Sequence, residues 1–244
     1  MSKLIIEVVT DSVASCVNAE AGGADRVELC DNLFEGGTTP SAGMIKLVRE
    51  KVSIGLMVMI RPRGGDFLYS DEEFEVMKED IRVAKSLGVD GVVFGLLTPK
   101  GKIDKVKTKE LIDIARPLSV TFHRAFDMVA DPFQALEDLI DLGVDRILTA
   151  GQERTAPEGI DLLKDLMEKA GDRIIILAGG GIRPYNIEKI VSKTGVKECH
   201  VSGKQLVESK MEFRNERVAL GGSLQQPEYG ISMVQSDTIA SFRK

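Results

Sequence analysis

One short design recurs four times along the chain and constrains its fold more than any other feature. In each copy a charged residue follows two positions after a glycine, and a mostly apolar run comes next. The copies are AGGADRVEL (21–29), SLGVDGVVF (86–94), DLGVDRILT (141–149) and KTGVKECHV (193–201). Glycine just past a helix adopts the left-handed conformation at little cost, and the apolar run is typical of a buried parallel strand. The matching glycines, Gly23, Gly88, Gly143 and Gly195, therefore predict four helix-to-strand joints.

Four further apolar runs raise the predicted strand count to eight. They are LIIEVV (4–9), SIGLMVMI (53–60), LSVTFH (118–123) and RIIILA (173–178). Helical patterns fill the intervals, at 12–22, 41–51, 71–87, 106–116, 132–142, 156–170, 184–193 and 232–243. Eight β–α alternations in 244 residues match a (β/α)₈ barrel, with a doubly wound open sheet as the alternative. The near-even spacing of the joints favours the closed ring.

We therefore predict an α/β fold, a single TIM-barrel domain spanning residues 1–244. The segment 220–244 is expected to be a C-terminal tail with a closing helix, which covers the barrel mouth or completes the ring.

Charge and composition exclude several classes of partner. The formal net charge is −6 without a long Lys/Arg block, so no electrostatic footprint for nucleic acid or an anionic membrane is expected. No segment approaches the roughly 18 apolar residues of a membrane span. Three scattered cysteines without a CxxC pair do not form a disulfide framework. We expect a cytoplasmic protein with reduced thiols.

Polar side chains recur where the predicted strands end, which is the face that carries the active sites of barrel enzymes. They are Glu7, Glu28, Arg61, Arg63, His123, Arg124, Asp127, His200 and Ser202. Both histidines of the chain belong to this set. The pattern predicts one site that collects residues from several strands.

Acid–base chemistry is the first hypothesis for this site. We take Glu7, Glu28, His123, Arg124 and Asp127 as candidate catalytic residues. His123 is the leading acid or base because imidazole titrates near neutrality, with Glu28 or Asp127 setting its tautomer. Buried carboxylates need cationic partners, and Arg61 or Arg124 is expected to pair with Glu7 and Glu28. The alternative is a network that only ties the barrel rim together.

A small anionic ligand is the expected partner of the last loops. The segment AGGGI contributes Gly179, Gly180 and Gly181, and HVSGK contributes His200 and Ser202. Such loops bind phosphate or carboxylate through backbone N–H groups in many barrels. Arg61 and Arg63 are predicted to add clamps for the anion. A tight turn without a ligand is the alternative for the glycine triplet.

Six motifs resemble the CutC family, whose members are often called copper homeostasis proteins. The motifs are ELCDNLFEGGTTPS (28–41), IRPRGGDF (60–67), FGLLTPKGKID (94–104), TFHRAFD (121–127), GVDRILTAGQ (143–152) and AGGGI (178–182). The resemblance implies a cytoplasmic TIM barrel, a homo-oligomer and a role in copper homeostasis. It also implies a polar cluster at Glu7, Glu28, Arg61, His123, Arg124 and Asp127.

Copper binding needs separate treatment, because Cu(I) favours two or three soft sulfur ligands together. Cys30 is the candidate copper ligand, with His200 or Cys199 as a further donor. Many family members carry a cysteine where this chain has Val9, which removes one thiol. Cys16 is expected on an outer helix, and Met57 and Met59 in the core. Two functions remain: a Cu(I)-binding protein of copper homeostasis, or a barrel enzyme acting by acid–base chemistry on a small anionic metabolite.

Overall fold

The predicted closed ring is present in the computed structural model, which describes residues 3–218 and 227–243. The eight ring strands are Ile5–Thr10 (β1), Arg26–Leu29 (β2), Gly55–Met59 (β3), Gly91–Phe94 (β4), Ser119–Phe122 (β5), Arg146–Thr149 (β6), Ile175–Gly179 (β7) and Glu198–Val201 (β8). All ring neighbours are parallel, and β1 pairs with both β2 and β8. This closure rules out the open sheet and confirms the TIM barrel.

Seven helices alternate with the strands and cover the outside of the barrel. They are Val13–Ala21 (α1), Ala42–Lys51 (α2), Asp71–Ser86 (α3), Lys105–Ala115 (α4), Pro132–Leu142 (α5), Ile160–Ala170 (α6) and Ile187–Thr194 (α7). The last two begin later than predicted, because irregular turns around Gly159 and Pro184 precede them. Each helix among the described residues is too short or too polar to span a bilayer.

Local sequence explains how these helices start and which face they bury. The hydroxyl of Ser70 accepts the backbone N–H of Glu73, whose carboxylate accepts the N–H of Ser70, a capping box that opens α3. The buried residues of α3 then follow a helical period: Phe74, Met77, Ile81 and Ala84. Burial of this stripe against the strands holds the helix on the barrel.

The four predicted joints are confirmed by backbone conformation. Gly23, Gly88, Gly143 and Gly195 have φ angles of 86°, 75°, 77° and 78°, respectively. A side chain is strained in this left-handed region, which accounts for glycine at each joint.

The tail differs from its prediction. Lys204–Glu208 (β9) and Gly230–Val234 (β10) form an antiparallel two-stranded sheet outside the ring. A short helix, Ser236–Ala240 (α8), follows, so the predicted helix over 232–243 was wrong for its first residues. Residues 220–226 and 244 of the predicted tail lie outside the described residues.

The helix α8 completes the outer layer and does not cover the mouth. Its Ile239 packs against Gly22 at the end of α1 and against Gly203 just after β8. Arg243 then donates hydrogen bonds to the carbonyls of Leu4 and Gly23. These contacts place the end of the chain beside α1, where the eighth helix of the ring is expected.

Candidate active site at the mouth of the barrel

A cavity of about 490 Å³ opens at the carboxyl ends of the strands. This volume suits a small molecule. Predicted site residues in its wall are Glu28, Arg61, His123, Arg124, Asp127, Gly180, Gly181, His200 and Ser202. The fold therefore gathers most of the predicted set around one space.

Four predicted residues lie outside this wall. Arg63 turns away: its Nε donates to Glu73 Oε1 (2.5 Å), and its guanidinium packs over the Tyr69 ring. Arg63 is thus held at the surface and does not form the expected clamp beside Arg61. Glu7, Cys30 and Gly179 are buried and do not line the cavity.

The carboxylate of Glu7 and the imidazole of His200 form a buried dyad. The strands β1 and β8 place Glu7 opposite His200, and His200 Nδ1 lies 2.7 Å from Glu7 Oε1. Burial alone would raise the pKa of Glu7, but the Arg26 guanidinium and His200 offset it and lower the pKa to about 2. The ionised Glu7 therefore accepts a hydrogen bond from Nδ1–H and fixes the imidazole tautomer.

Glu28, on β2, is the third member of this group, and its surroundings shift its pKa in the direction opposite to that of Glu7. His200 Nε2 lies 3.7 Å from Glu28 Oε2, while Glu28 Oε1 is buried without a hydrogen-bond partner among the described residues. Burial, partly offset by the charge of His200, raises the pKa of Glu28 to about 7. Burial lowers the pKa of His200, but Glu28 and Glu7 more than offset this and raise it. Two neighbouring carboxyl groups are thus separated into an anion and a proton carrier.

A second layer of charges below this group was missed by the sequence analysis. Arg26 donates to Glu7 Oε2 through Nε (2.5 Å) and to Glu198 through its second nitrogen. Arg146 Nε donates to Glu198 Oε2 at 2.8 Å. The expected pairing of Glu7 and Glu28 with Arg61 or Arg124 was therefore wrong.

The signal for this layer was the two-residue alternation within strands. Arg26 lies two residues before Glu28, and Glu198 two residues before His200. Residues two apart in a strand share one face, so both pairs point into the barrel. Because charged residues rarely face a barrel interior unpaired, this alternation indicates an inner ion network.

His123 has a different character from the one expected. The Ala125 N–H donates to His123 Nδ1 at 3.1 Å, so the ring proton lies on Nε2, which is buried and has no partner among the described residues. Burial and the charge of Arg61 lower the pKa of His123 to about 3. Ala125, and not Glu28 or Asp127, sets the tautomer. His123 is thus a neutral hydrogen-bond donor at pH 7, not a group that titrates near neutrality.

Arg61 is a buried cation bound by backbone carbonyls. Its guanidinium donates to the carbonyls of Glu35 (2.7 Å), Gly37 (2.8 Å) and Gly65 (2.8 Å). Its Nε has no partner among the described residues. No carboxylate of the described residues forms an ion pair with it, and such a buried charge attracts an anionic group of a ligand.

Arg124 and Asp127 connect the loops after β5, β6 and β7. Asp127 accepts the N–H groups of Ala150 and Gln152 as well as the Nε of Arg124 (2.6 Å). The guanidinium of Arg124 lies over Gly180, where a Cβ atom would be 3.3 Å from its Nη1. Gly180 therefore leaves room for Arg124 to face the cavity.

The cysteines do not form a thiolate cluster. Cys16 and Cys199 pack in the outer core between strands and helices, whereas Cys30 points into the barrel. The Sγ of Cys30 is 3.6 Å from Glu28 Oε2, and burial raises the pKa of Cys30 well above its ordinary value. Cys30 is therefore a protonated thiol. Met57 and Met59 pack beside it in one small buried cluster.

Within the described residues, one group of acidic and imidazole side chains is close enough to share a metal ion. Ligand atoms of Glu7, Glu28 and His200 lie within 4.8 Å of one another. These oxygen and nitrogen donors suit borderline divalent ions better than Cu(I). Arg26 and His200 already engage both oxygens of Glu7.

Comparisons with known proteins match the whole barrel. Residues 4–205 match the model of the CutC family. The human "Copper homeostasis protein cutC homolog" is 55% identical over 229 residues, 94% of this chain and 84% of the human protein. A "family protein CutC" of Parabacteroides distasonis is 54% identical over 236 residues, 96% of each chain.

A solved structure gives the same result. The crystal structure of a CutC protein from Streptococcus agalactiae superposes with a TM-score of 0.77 at 39% sequence identity. The superposition covers 81% of this chain and 97% of the streptococcal chain.

Proposed function

The chain belongs to the CutC family, and from that membership we propose that it acts in cytoplasmic copper homeostasis. The name of the human relative supports the physiological role. Three unpaired, buried cysteines support a reducing compartment. The molecular activity that we propose is proton transfer on a small anionic metabolite bound in the barrel mouth.

One observation carries this activity: a residue of the cavity wall has a buried carboxyl group with an unpartnered oxygen, beside a histidine held by a second carboxylate. The oxygen is Glu28 Oε1, and the held histidine is His200. A polar atom without a partner costs free energy in a folded protein, so its retention favours a functional role.

Glu7, His200 and Glu28 have different roles in this activity. Glu7 stays ionised and orients His200, so that Nε2 faces Glu28 across 3.7 Å. A proton can then be shared between Glu28 and His200, and either group can exchange it with a bound molecule. Glu7 acts through His200 and is a positioning residue.

Cationic groups in the same wall support an anionic ligand. Arg61 contributes a buried charge, and Arg124 contributes a guanidinium beside the loop at Gly180 and Gly181. Among the described residues, no hydrogen bond takes up the backbone N–H of either glycine. These donors suit phosphate or carboxylate oxygens.

Direct Cu(I) binding is a second candidate, favoured by the packing of Cys30 against Met57 and Met59. A thiol and two thioethers are the soft donors that Cu(I) prefers. Deprotonation of Cys30 beside Glu28 would have to accompany binding, because the thiol is buried and protonated.

Anaerobic Cu(I) titration against a competing chelator separates the two candidates. We expect the full chain not to compete for Cu(I) and Cys30→Ser to behave like the wild type. Submicromolar binding that Cys30→Ser abolishes would establish direct copper handling and displace the first proposal.

Metabolite capture tests the first candidate directly. The full chain is incubated with a small-molecule extract, and retained compounds are identified by ultrafiltration and mass spectrometry. We expect an anionic compound to be retained by the wild type and by Arg63→Ala, whose arginine lies outside the cavity, but lost with Arg124→Ala. Equal retention by both variants would refute the anion site.

A further inference from the structure

We propose that the substrate is a small carbonyl compound with a separate anionic group, and that the reaction starts by removing a proton from the carbon next to the carbonyl. This inference rests on the proposed function, since it names the substrate class of the same site. It is argued from three buried polar atoms that belong to residues lining one cavity.

Two of these atoms form a donor side. His123 Nε2 and Arg61 Nε are both buried, both lack partners among the described residues, and both residues line the cavity. Phe67 packs against both, with its ring centroid 5.0 Å from that of His123 and 5.2 Å from the Arg61 guanidinium carbon. Two N–H donors without an acceptor suit an oxygen that gains negative charge.

The third atom forms an acceptor side. Glu28 Oε1 comes from β2, with His200 beside it on β8, whereas His123 follows β5. The ring order places β2 and β5 three strands apart, so the acceptor and the His123 donor approach the cavity from different parts of the wall. A bound molecule can therefore present its carbonyl oxygen to one side and its C–H bond to the other.

A second group of donors in the cavity wall is proposed to hold the rest of the molecule. Arg124 and the N–H groups of Gly180 and Gly181 lie after β5 and β7 in the same wall. Binding energy from a phosphate or carboxylate there can hold the reacting carbon against Glu28. Gly180 and Gly181 follow β7, whereas Arg61 follows β3, four strands away around the ring, and this separation is why we infer two polar ends on the substrate.

The step balances without a further reactant. The C–H bond breaks, and its proton goes to Glu28. The C–H electron pair forms a carbon–carbon double bond, and the carbonyl π electrons move to oxygen. His123 Nε2–H and the Arg61 guanidinium stabilise the resulting enolate. Return of a proton to the same carbon restores the carbonyl compound and completes an exchange.

Solvent deuterium exchange tests this step. The full chain is incubated in D₂O with dihydroxyacetone phosphate, pyruvate, 2-oxoglutarate and the metabolite retained in the capture experiment, and loss of the α C–H signal is followed by ¹H NMR. We expect exchange with at least one compound, with rates reduced about 10²-fold or more in Glu28→Gln. Arg63→Ala, outside the cavity, should keep the wild-type rate.

Variants of His123 separate catalysis from folding. We expect His123→Ala to lose exchange and His123→Gln, which retains an N–H donor, to recover part of it, while anion retention persists in both. Retention of a carbonyl metabolite with no exchange in the wild type overturns this inference and leaves the proposed anion binding intact. No retention and no exchange overturns both.

Discussion

Glu7 and Glu28 lie on neighbouring strands and point into the same barrel, yet their pKa values move in opposite directions. Glu7 is engaged by Arg26 and His200, which keep it ionised. Glu28 accepts one weak hydrogen bond, from the Cys30 thiol. Among the described residues no cationic group lies within hydrogen-bond distance of its carboxylate, since His200 Nε2 is 3.7 Å away. The number of charged partners, and not the burial that both share, decides which carboxyl group can carry a proton.

Stability measured against pH checks the state of Glu28. In the unfolded chain this carboxyl loses its proton near its ordinary pKa of 4.5, and in the folded chain near 7. Between these values the folded state holds a proton that the unfolded state has lost, so stability falls as pH rises through the window. We expect Glu28→Gln to raise Tm by about 5 °C at pH 8 and to change it little at pH 5. A pH-independent difference would contradict the raised pKa.

Thiol reactivity checks the state of the cysteines. Burial raises the pKa of Cys16 to about 11 and of Cys199 to about 12, and raises that of Cys30 well above its usual value. Because the thiolate is the reactive form, we expect negligible reaction with a disulfide reagent at pH 8 in the native protein. Unfolding in urea should release three reactive thiols. Rapid labelling of Cys30 in the native protein would show that the barrel interior opens.

At the scale of elements, β2 carries the inner charge layer into the mouth. Arg26, Glu28 and Cys30 alternate along this strand and its exit, so one face presents a cation, a carboxyl group and a thiol at successive depths. The lowest of them bridges Glu7 of β1 and Glu198 of β8. Arg26 of β2 therefore contacts both strands that close the ring, and its charge helps to keep Glu7 of the site ionised.

Removing this bridge is expected to destabilise the barrel strongly. Arg26→Met leaves two buried carboxylates without a shared cation, a change that typically costs about 3–5 kcal/mol. Urea unfolding followed by circular dichroism measures the loss. The matched control is Arg173→Met, which breaks the exposed pair with Glu137 and should leave the unfolding midpoint nearly unchanged. Equal midpoints for the two variants would refute the role of the inner network.

At the scale of the whole molecule, the β9–β10 sheet and the segment after β9 carry exposed apolar side chains. Leu206, Phe213 and Ile231 are 62%, 77% and 52% exposed. Leu206 and Ile231 lie on opposite faces of the sheet, so each face presents an apolar side chain near an open strand edge, which favours association with another chain. We therefore expect the protein to form a homo-oligomer through this sheet.

Light scattering coupled to size-exclusion chromatography measures this association. The wild type should exceed the 26.6 kDa of one chain, and the double variant Leu206→Asp/Phe213→Asp should elute as a monomer. Val106→Asp, at an isolated residue on α4 that is 81% exposed, serves as the control and should keep the oligomer. A monomeric wild type would exclude the prediction.

Local patterns along the chain are enough to predict the barrel and the face that carries its site. Glycine at helix ends, apolar runs and polar strand exits are local signals, because the conformations and faces that they specify depend on residues a few positions apart. The joints at Gly143 and Gly195 and the placement of Glu28, His123 and His200 at one mouth follow from such signals.

Which charges pair, and which protonation state each group adopts, depends on contacts between residues far apart in the chain. Glu7 and His200 are 193 residues apart, and Arg26 and Glu198 are 172 apart, so their contact depends on closure of the ring between β8, β1 and β2. The tautomer of His123 depends on one backbone N–H that the turn after β5 presents. A pKa is set by the dielectric and the charges within a few ångströms, and ring closure supplies these.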